Sequence, residues 1–178
     1  MHLMDCICKT MIDGARCLRQ RQEATNVSYH FFTVSNCLVN MISPEHYRDF
    51  ILPFDIAISR EFRSLGIHNC AWNADPYLDY YASVPNTGYI DMGIESDLEK
   101  ARTLFPDARR AVMYTPMDLS SKSLAQIKED MAMIAHRFAP CDIVLADIDD
   151  GTPDDKVMAF LDFAQEISSS GFAPSRFA

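Results

Sequence analysis

The apolar residues of this chain change rhythm repeatedly between a helical period and an alternating or continuous one. Residues 5–22 place Ile7, Met11, Ala15 and Leu18 at helical spacing. Residues 28–34 (SYHFFTV) are β-branched and aromatic and predict a strand, followed by a connecting loop over 36–41. Ser43-Pro44-Glu45 predicts a helix start: a serine cap, a proline in the first turn and a carboxylate at the positive helix end. That helix is expected to run to about Ser64, kinked at Pro53, with Gly66 as its stop. Residues 67–71 predict a short strand. Asp75-Pro76 opens a helix to about Ser83, residues 85–88 (PNTG) make a turn, and 89–92 form a short strand. A helix over 96–105 and a strand over 110–114 follow. Residues 121–138 form a long amphipathic helix with Leu124, Ile127, Met131, Ile134 and Ala135 on one face. Residues 142–146 (DIVLA) read as a buried strand. Thr152-Pro153-Asp154-Asp155 caps a last helix to about Ser168, and the tail from residue 170 reads as loose.

Strands and helices therefore alternate through the chain, with five strands. Such alternation defines an α/β protein with parallel strands and right-handed helical crossovers. Two architectures satisfy it: an open doubly wound sheet, or about five of the eight units of a (β/α)₈ barrel. The chain has 178 residues, which suits a single domain over 1–178, and it shows no internal repeat or low-complexity tract.

Composition narrows the function classes. The chain carries 25 acidic against 16 basic residues, a formal net charge of -9. That balance argues against a general nucleic-acid binder and against docking to an anionic membrane surface. The apolar stretches are too short and too interrupted to span a bilayer. The first residues, Met1-His2-Leu3-Met4-Asp5, lack an export-signal pattern, so a cytoplasmic setting is the expectation. Six cysteines, at 6, 8, 17, 37, 70 and 141, occur without a CxxC pair, and in a reducing compartment most are expected to be buried thiols.

Three polar clusters fall at C-terminal ends of predicted strands, the edge where both architectures bind ligands. They are His68 with Cys70, residues 114–118 ending at Asp118, and Asp147 with Asp149 and Asp150. His68-Asn69-Cys70 puts an imidazole and a thiolate on one side of an extended strand, which offers two of the ligands a Zn²⁺ ion takes. The same two residues also suit a partly buried histidine and a core cysteine. Asp147 directly ends an apolar strand and is an acceptable third zinc ligand, whereas the spacing of its neighbours excludes an EF-hand. Asp118 can orient a ligand, polarise a substrate or cap the next helix. The aromatic run Tyr77-Leu78-Asp79-Tyr80-Tyr81 reads as packing. No GxGxxG, GxxxxGK[ST] or GxSxG motif is present, so nucleotide binding and a serine-hydrolase elbow have no support.

Residues 42–53 (ISPEHYRDFILP) resemble the ISPE-x-[FY]-R-[ED]-F-x-LP segment of the uroporphyrinogen decarboxylase superfamily. Residues 66–70 (GIHNC) resemble the H-x-C zinc motif of that superfamily's cobalamin-dependent methyltransferase branch. Residues 112–119 (VMYTPMDL) fall where the family has LQGNLDP, keeping its aspartate as Asp118. Residues 143–153 (IVLADIDDGTP) fall where the family ends its last strand and opens its final helix with TP. The resemblance covers roughly residues 5–168 and corresponds to the C-terminal five units of a (β/α)₈ barrel. The three N-terminal units, with the decarboxylases' arginines and key aspartate, have no counterpart in this sequence. The branch's third zinc ligand, a cysteine after the last strand, is also absent, and Asp147 stands where it is expected.

The resemblance implies Zn²⁺ held by His68, Cys70 and Asp147, with Asp118 orienting substrate. It implies a methyl group moved to or from cobalamin carried by a separate corrinoid protein. A uroporphyrinogen decarboxylase-like activity is the alternative within the superfamily. A non-catalytic half-barrel, serving as a subunit or remaining as a truncated relic, is the alternative outside enzymes. Five parallel strands leave two open edges, so the chain is expected to form a homo-oligomer or to pair with a complementary barrel chain.

Overall fold

A computed structural model describes residues 2–27 and 31–169. It contains α1 (His2–Ala24), β1 (Phe32–Ser35), a 3₁₀ turn (Val39–Met41), α2 (Pro44–Phe50) and α3 (Leu52–Glu61). These are followed by β2 (Leu65–His68), α4 (Leu78–Ala82), β3 (Thr87–Gly93), α5 (Leu98–Leu104) and β4 (Arg109–Tyr114). The chain continues with α6 (Pro116–Ser121), α7 (Leu124–Phe138), β5 (Asp142–Leu145) and α8 (Asp154–Ser169).

The five strands form one sheet in the order β1-β2-β3-β4-β5, every neighbouring pair parallel. This order decides between the two expected architectures. A doubly wound sheet reverses its order at a switch point. A monotonic order with right-handed crossovers instead puts the connecting helices on one face, as in a barrel segment. The fold is α/β and partial-barrel-like.

Strand side chains divide accordingly. Leu65, Ile67, Ile90, Met92, Val112 and Tyr114 are buried on the helix-covered face. The alternate positions Thr33, Ser35, His68, Tyr89, Asp91 and Arg109 are polar and lie on the opposite face. In a complete barrel that face lines the interior. The helix layer is held by packed aromatics: Tyr47 meets Tyr81 edge-on at 5.3 Å and Tyr77 at 5.7 Å between ring centroids. The aromatic run at 77–81 is thus core, as its pattern predicts.

Several boundaries differ from the sequence reading. The helix expected over 43–64 is two helices. Ser43 caps α2 by accepting from the His46 N–H, and the chain bends at Ile51. Pro53 then sits in the first turn of α3, where its missing N–H costs no intrahelical bond. Gly66 is a strand residue, not a helix stop. A Cβ there would come within 2.8 Å of Thr33 Oγ1, so close strand packing requires glycine. β2 ends at His68 rather than at 71. The segment after β4 forms α6, capped by Thr115, where the sequence reading assigns no element. The capping box of Ser123 and Gln126 starts α7 three residues after the predicted start. The expected strand start at 28–30 and the expected loose tail at 170–178 lie outside the described residues. Among the described residues, no helix is long and apolar enough to cross a membrane.

Candidate metal centre

The strand ends bring three soft donors together. β1 runs parallel to β2 with Ser35 opposite His68. One residue past each strand the chain must turn, and Cys37 and Cys70 lie on those two turns. Cys70 adopts φ 54°, in the left-handed region that L-residues rarely occupy. This backbone conformation, not strand alternation, directs its thiol back over His68. Cys70 Sγ stands 3.1 Å from His68 Nε2 and donates to Cys37 Sγ at 2.9 Å. One donor atom from each of Cys37, His68 and Cys70 falls within 4.8 Å of the others.

Each of the three is held from behind. Asp91, on β3 and 1 % exposed, receives His68 Nδ1 at 2.6 Å through Oδ2. Its Oδ1 accepts the Asn69 backbone N–H at 2.8 Å. The carboxylate accepts the Nδ1 proton, which leaves the Nε2 lone pair facing the two sulfurs. Asn69 donates its side-chain amide to the Asp91 carbonyl and accepts from the Tyr81 hydroxyl at 2.7 Å, so the turn is tied to the aromatic core. Asn36 fixes the other turn. Its backbone N–H donates to the His68 carbonyl at 2.7 Å, and its side chain donates to the buried Asp55 at 2.9 Å. Cys37 Sγ lies 2.9 Å from Ser35 Oγ. Gly93 closes the floor: a Cβ there would sit 2.0 Å from the Ala71 carbonyl oxygen.

The local electrostatics oppose a bare thiolate. The Cys70 thiol is pushed up to about 12, first by burial, then by the Cys37 thiol and the negative charges of Asp91 and Asp147. A cation among the donors reverses that balance, because it favours the deprotonated sulfur. Two sulfurs and one imidazole nitrogen form a donor set suited to Zn²⁺ and leave one tetrahedral position open. Around a tetrahedral ion such donors stand roughly 3.5–3.8 Å apart, so the thiols would need to spread by less than about 1 Å. The residues present therefore fit a metal ion, and the Cys37–His68–Cys70 group can bind one.

No protein-family model and no curated protein sequence matches this chain. A solved structure does. The fold resembles a methyltransferase from Methanosarcina mazei with a TM-score of 0.61 and 16% sequence identity. The match covers 80% of this chain and 43% of that one, so this chain spans less than half the length of the solved protein. The likeness carries the fold: a parallel α/β arrangement is shared with an enzyme of that class.

The sequence-derived candidates are distributed unevenly. His68 and Cys70 are brought together. Asp147 follows β5 with φ 54° and an exposed side chain, and its charge reaches Cys70, but its carboxylate is outside the close donor group. Cys37 occupies the third place there. Asp118 is the third residue of α6: it accepts from Thr115 Oγ1 at 2.7 Å and pairs with Lys122 at 3.1 Å. Lys122 also binds Asp130, which takes the Tyr114 hydroxyl. The two Asp118 oxygens thus serve its own short helix, Oδ2 at the Thr115 cap and Oδ1 at Lys122 just past its end. Two residues escaped sequence reasoning. Cys37 followed the first strand, the same strand-end position that singled out His68, but no ligand stood beside it in sequence. Asp91 was a carboxylate inside an apolar strand, and that mismatch was its only signal.

Proposed function

We infer that this chain is a zinc-dependent methyltransferase-like protein whose metal is held by Cys37, His68 and Cys70. The convergence of those three donors on one strand edge, with Asp91 buried behind His68, carries the reading. The likeness in fold to a methyltransferase from Methanosarcina mazei supports the reaction class, and the sequence resemblance to the uroporphyrinogen decarboxylase superfamily supports the carrier, a corrinoid on a separate protein.

When bound, Zn²⁺ supplies Lewis-acid chemistry that lowers the pKa of a thiol delivered to its open position. This chain's residues set the conditions for that chemistry. Asp91 holds the His68 ring in the ligating tautomer. The Asn69–Tyr81 bond stops the Cys70 turn from swinging. Asn36 keeps Cys37 beside them. Asp147 adds negative charge at the rim, which favours a cation in the site.

The test is demethylation of methylcobalamin by a small thiol, followed by the change in corrin absorbance with zinc-loaded protein. Turnover lost in Cys37→Ala and Cys70→Ala supports the reading. A zinc-loaded protein with no turnover supports the second reading, a metal-binding half-barrel without its own activity. That second reading draws on the chain's spanning only 43% of the solved methyltransferase.

A further inference from the structure

Helix α1 carries an apolar seam that the described residues leave largely open. Met4, Ile7, Met11, Gly14 and Leu18 follow one another at steps of three, four, three and four residues. This is the a/d repeat by which two α-helices pack along their length. The flanking positions Leu3, Thr10 and Cys17 on one side and Cys8 and Ala15 on the other are uncharged. From Asp5 to Arg19, every charged residue of the helix lies on the remaining positions: Asp5, Lys9, Asp13, Arg16 and Arg19. Cys8 and Ala15 are buried inside this chain. Met4 is half-buried, and the other large apolar residues of the strip are open: Leu3 is 71%, Ile7 44%, Met11 43% and Leu18 56% exposed. A helix meeting solvent on that face would carry charge there. Met4, Ile7 and Met11 of the seam also line a groove of about 390 Å³ between α1 and the turn after β1, with Leu38 and Ile42 among its other lining residues.

We propose that α1 pairs antiparallel with α1 of a second copy of this chain, forming a two-fold dimer. The occupant follows from the seam's own symmetry. Gly14 has nothing within 4 Å of where its Cβ would be, which leaves a notch in the seam. An antiparallel pair placing Met11 over the partner copy's notch also sets Ile7 against the partner copy's Leu18. The same operation fills both notches and both large pairs, as an isologous interface requires. No like charges face one another along these layers, and opposed helix dipoles favour the antiparallel sense.

Light scattering coupled to size exclusion, with reductant and chelator present, tests this on the whole chain. The expected mass is twice 20.2 kDa. Reductant removes a dimer linked through the exposed Cys6 or Cys17, and chelator removes one bridged by metal. Ile7→Glu with Leu18→Glu should halve the mass while leaving the circular dichroism spectrum unchanged. Gly14→Leu should also halve it. Because the space around Gly14 is open and leucine is the better helix former, that variant's monomer should melt no lower than the Ile7→Glu/Leu18→Glu monomer. A wild-type monomer, a dimer that survives these substitutions, or a higher oligomer growing through the open β1 and β5 edges would each overturn the proposal.

Discussion

Asp91→Asn is the substitution that most sharply separates shape from chemistry at the metal centre. The two carboxylate oxygens of Asp91 serve different donors. Oδ1 accepts the Asn69 peptide N–H at 2.8 Å, and Oδ2 faces His68 Nδ1 at 2.6 Å. A peptide N–H can only donate, so an asparagine must turn its oxygen towards Asn69 and its amide towards His68. That amide donates to Nδ1, which forces the imidazole proton onto Nε2, the nitrogen that faces Cys70. The side chain keeps its size and both contacts, so stability should fall by no more than about 1 kcal/mol. Metal binding should suffer more, because the ligating nitrogen now carries a proton. A loss of about 10–100-fold in affinity is expected, the range for a lost partner of a metal-bound histidine. Asp91→Ala should lose both affinity and stability, since it leaves the buried Asn69 N–H without an acceptor at a cost of about 1–3 kcal/mol. Zinc competition against a chromophoric chelator gives the affinity, and urea unfolding gives the stability. Wild-type zinc affinity in Asp91→Asn would refute the reasoning.

Two further perturbations probe the supports of the site. Asp55 is 4 % exposed, and burial raises its pKa above the ordinary 3.8 even though Asn36 and Tyr47 donate to it. A raised carboxyl pKa stabilises the fold below the unfolded value and loses that stabilisation as pH rises through the folded value. Both donors converge on the one oxygen Oδ2, so an asparagine can accept both without carrying charge. Asp55→Asn should therefore be at least as stable as wild type at pH 7–8, with its advantage shrinking towards pH 4, measured by urea unfolding across that range. Asp55→Ala should lose about 1–3 kcal/mol, because two buried donors lose their acceptor. Gly93→Ala drives a methyl group into the Ala71 carbonyl, so it should destabilise the fold by about 1–3 kcal/mol and weaken metal binding through the neighbouring Cys70. Unchanged melting temperature and metal affinity would contradict that.

The alternation of strands and helices was legible because each strand is short, apolar and bounded by a cap or turn. Ser43-Pro44, Asp97 and Pro153 mark helix starts by local chemistry alone, whereas the apolar periodicity of α7 hid its cap at Ser123. Strand order was not legible, since parallel pairing depends on contacts far apart in sequence. The break at Ile51 was hidden because Pro53 suits a kink and a new first turn equally well. At the site, His68 and Cys70 were found for a reason the structure amends. They meet through a left-handed turn at Cys70, which no sequence pattern announces at a non-glycine residue. Cys37 could not be assigned without the pairing of β1 with β2, which sets its turn beside that of Cys70. Asp147 was the natural candidate from the strand-end argument, yet its side chain turns out exposed, whereas the parallel register draws in Cys37.

The central claim is that Cys37, His68 and Cys70 form one metal centre. Its most direct test is zinc content by mass spectrometry, after anaerobic purification and dialysis against zinc, in wild type, Cys37→Ala and Asp147→Ala. One equivalent in wild type and in Asp147→Ala, with loss in Cys37→Ala, is the predicted result. Metal-free wild type, or zinc retained in Cys37→Ala and lost in Asp147→Ala, would contradict it.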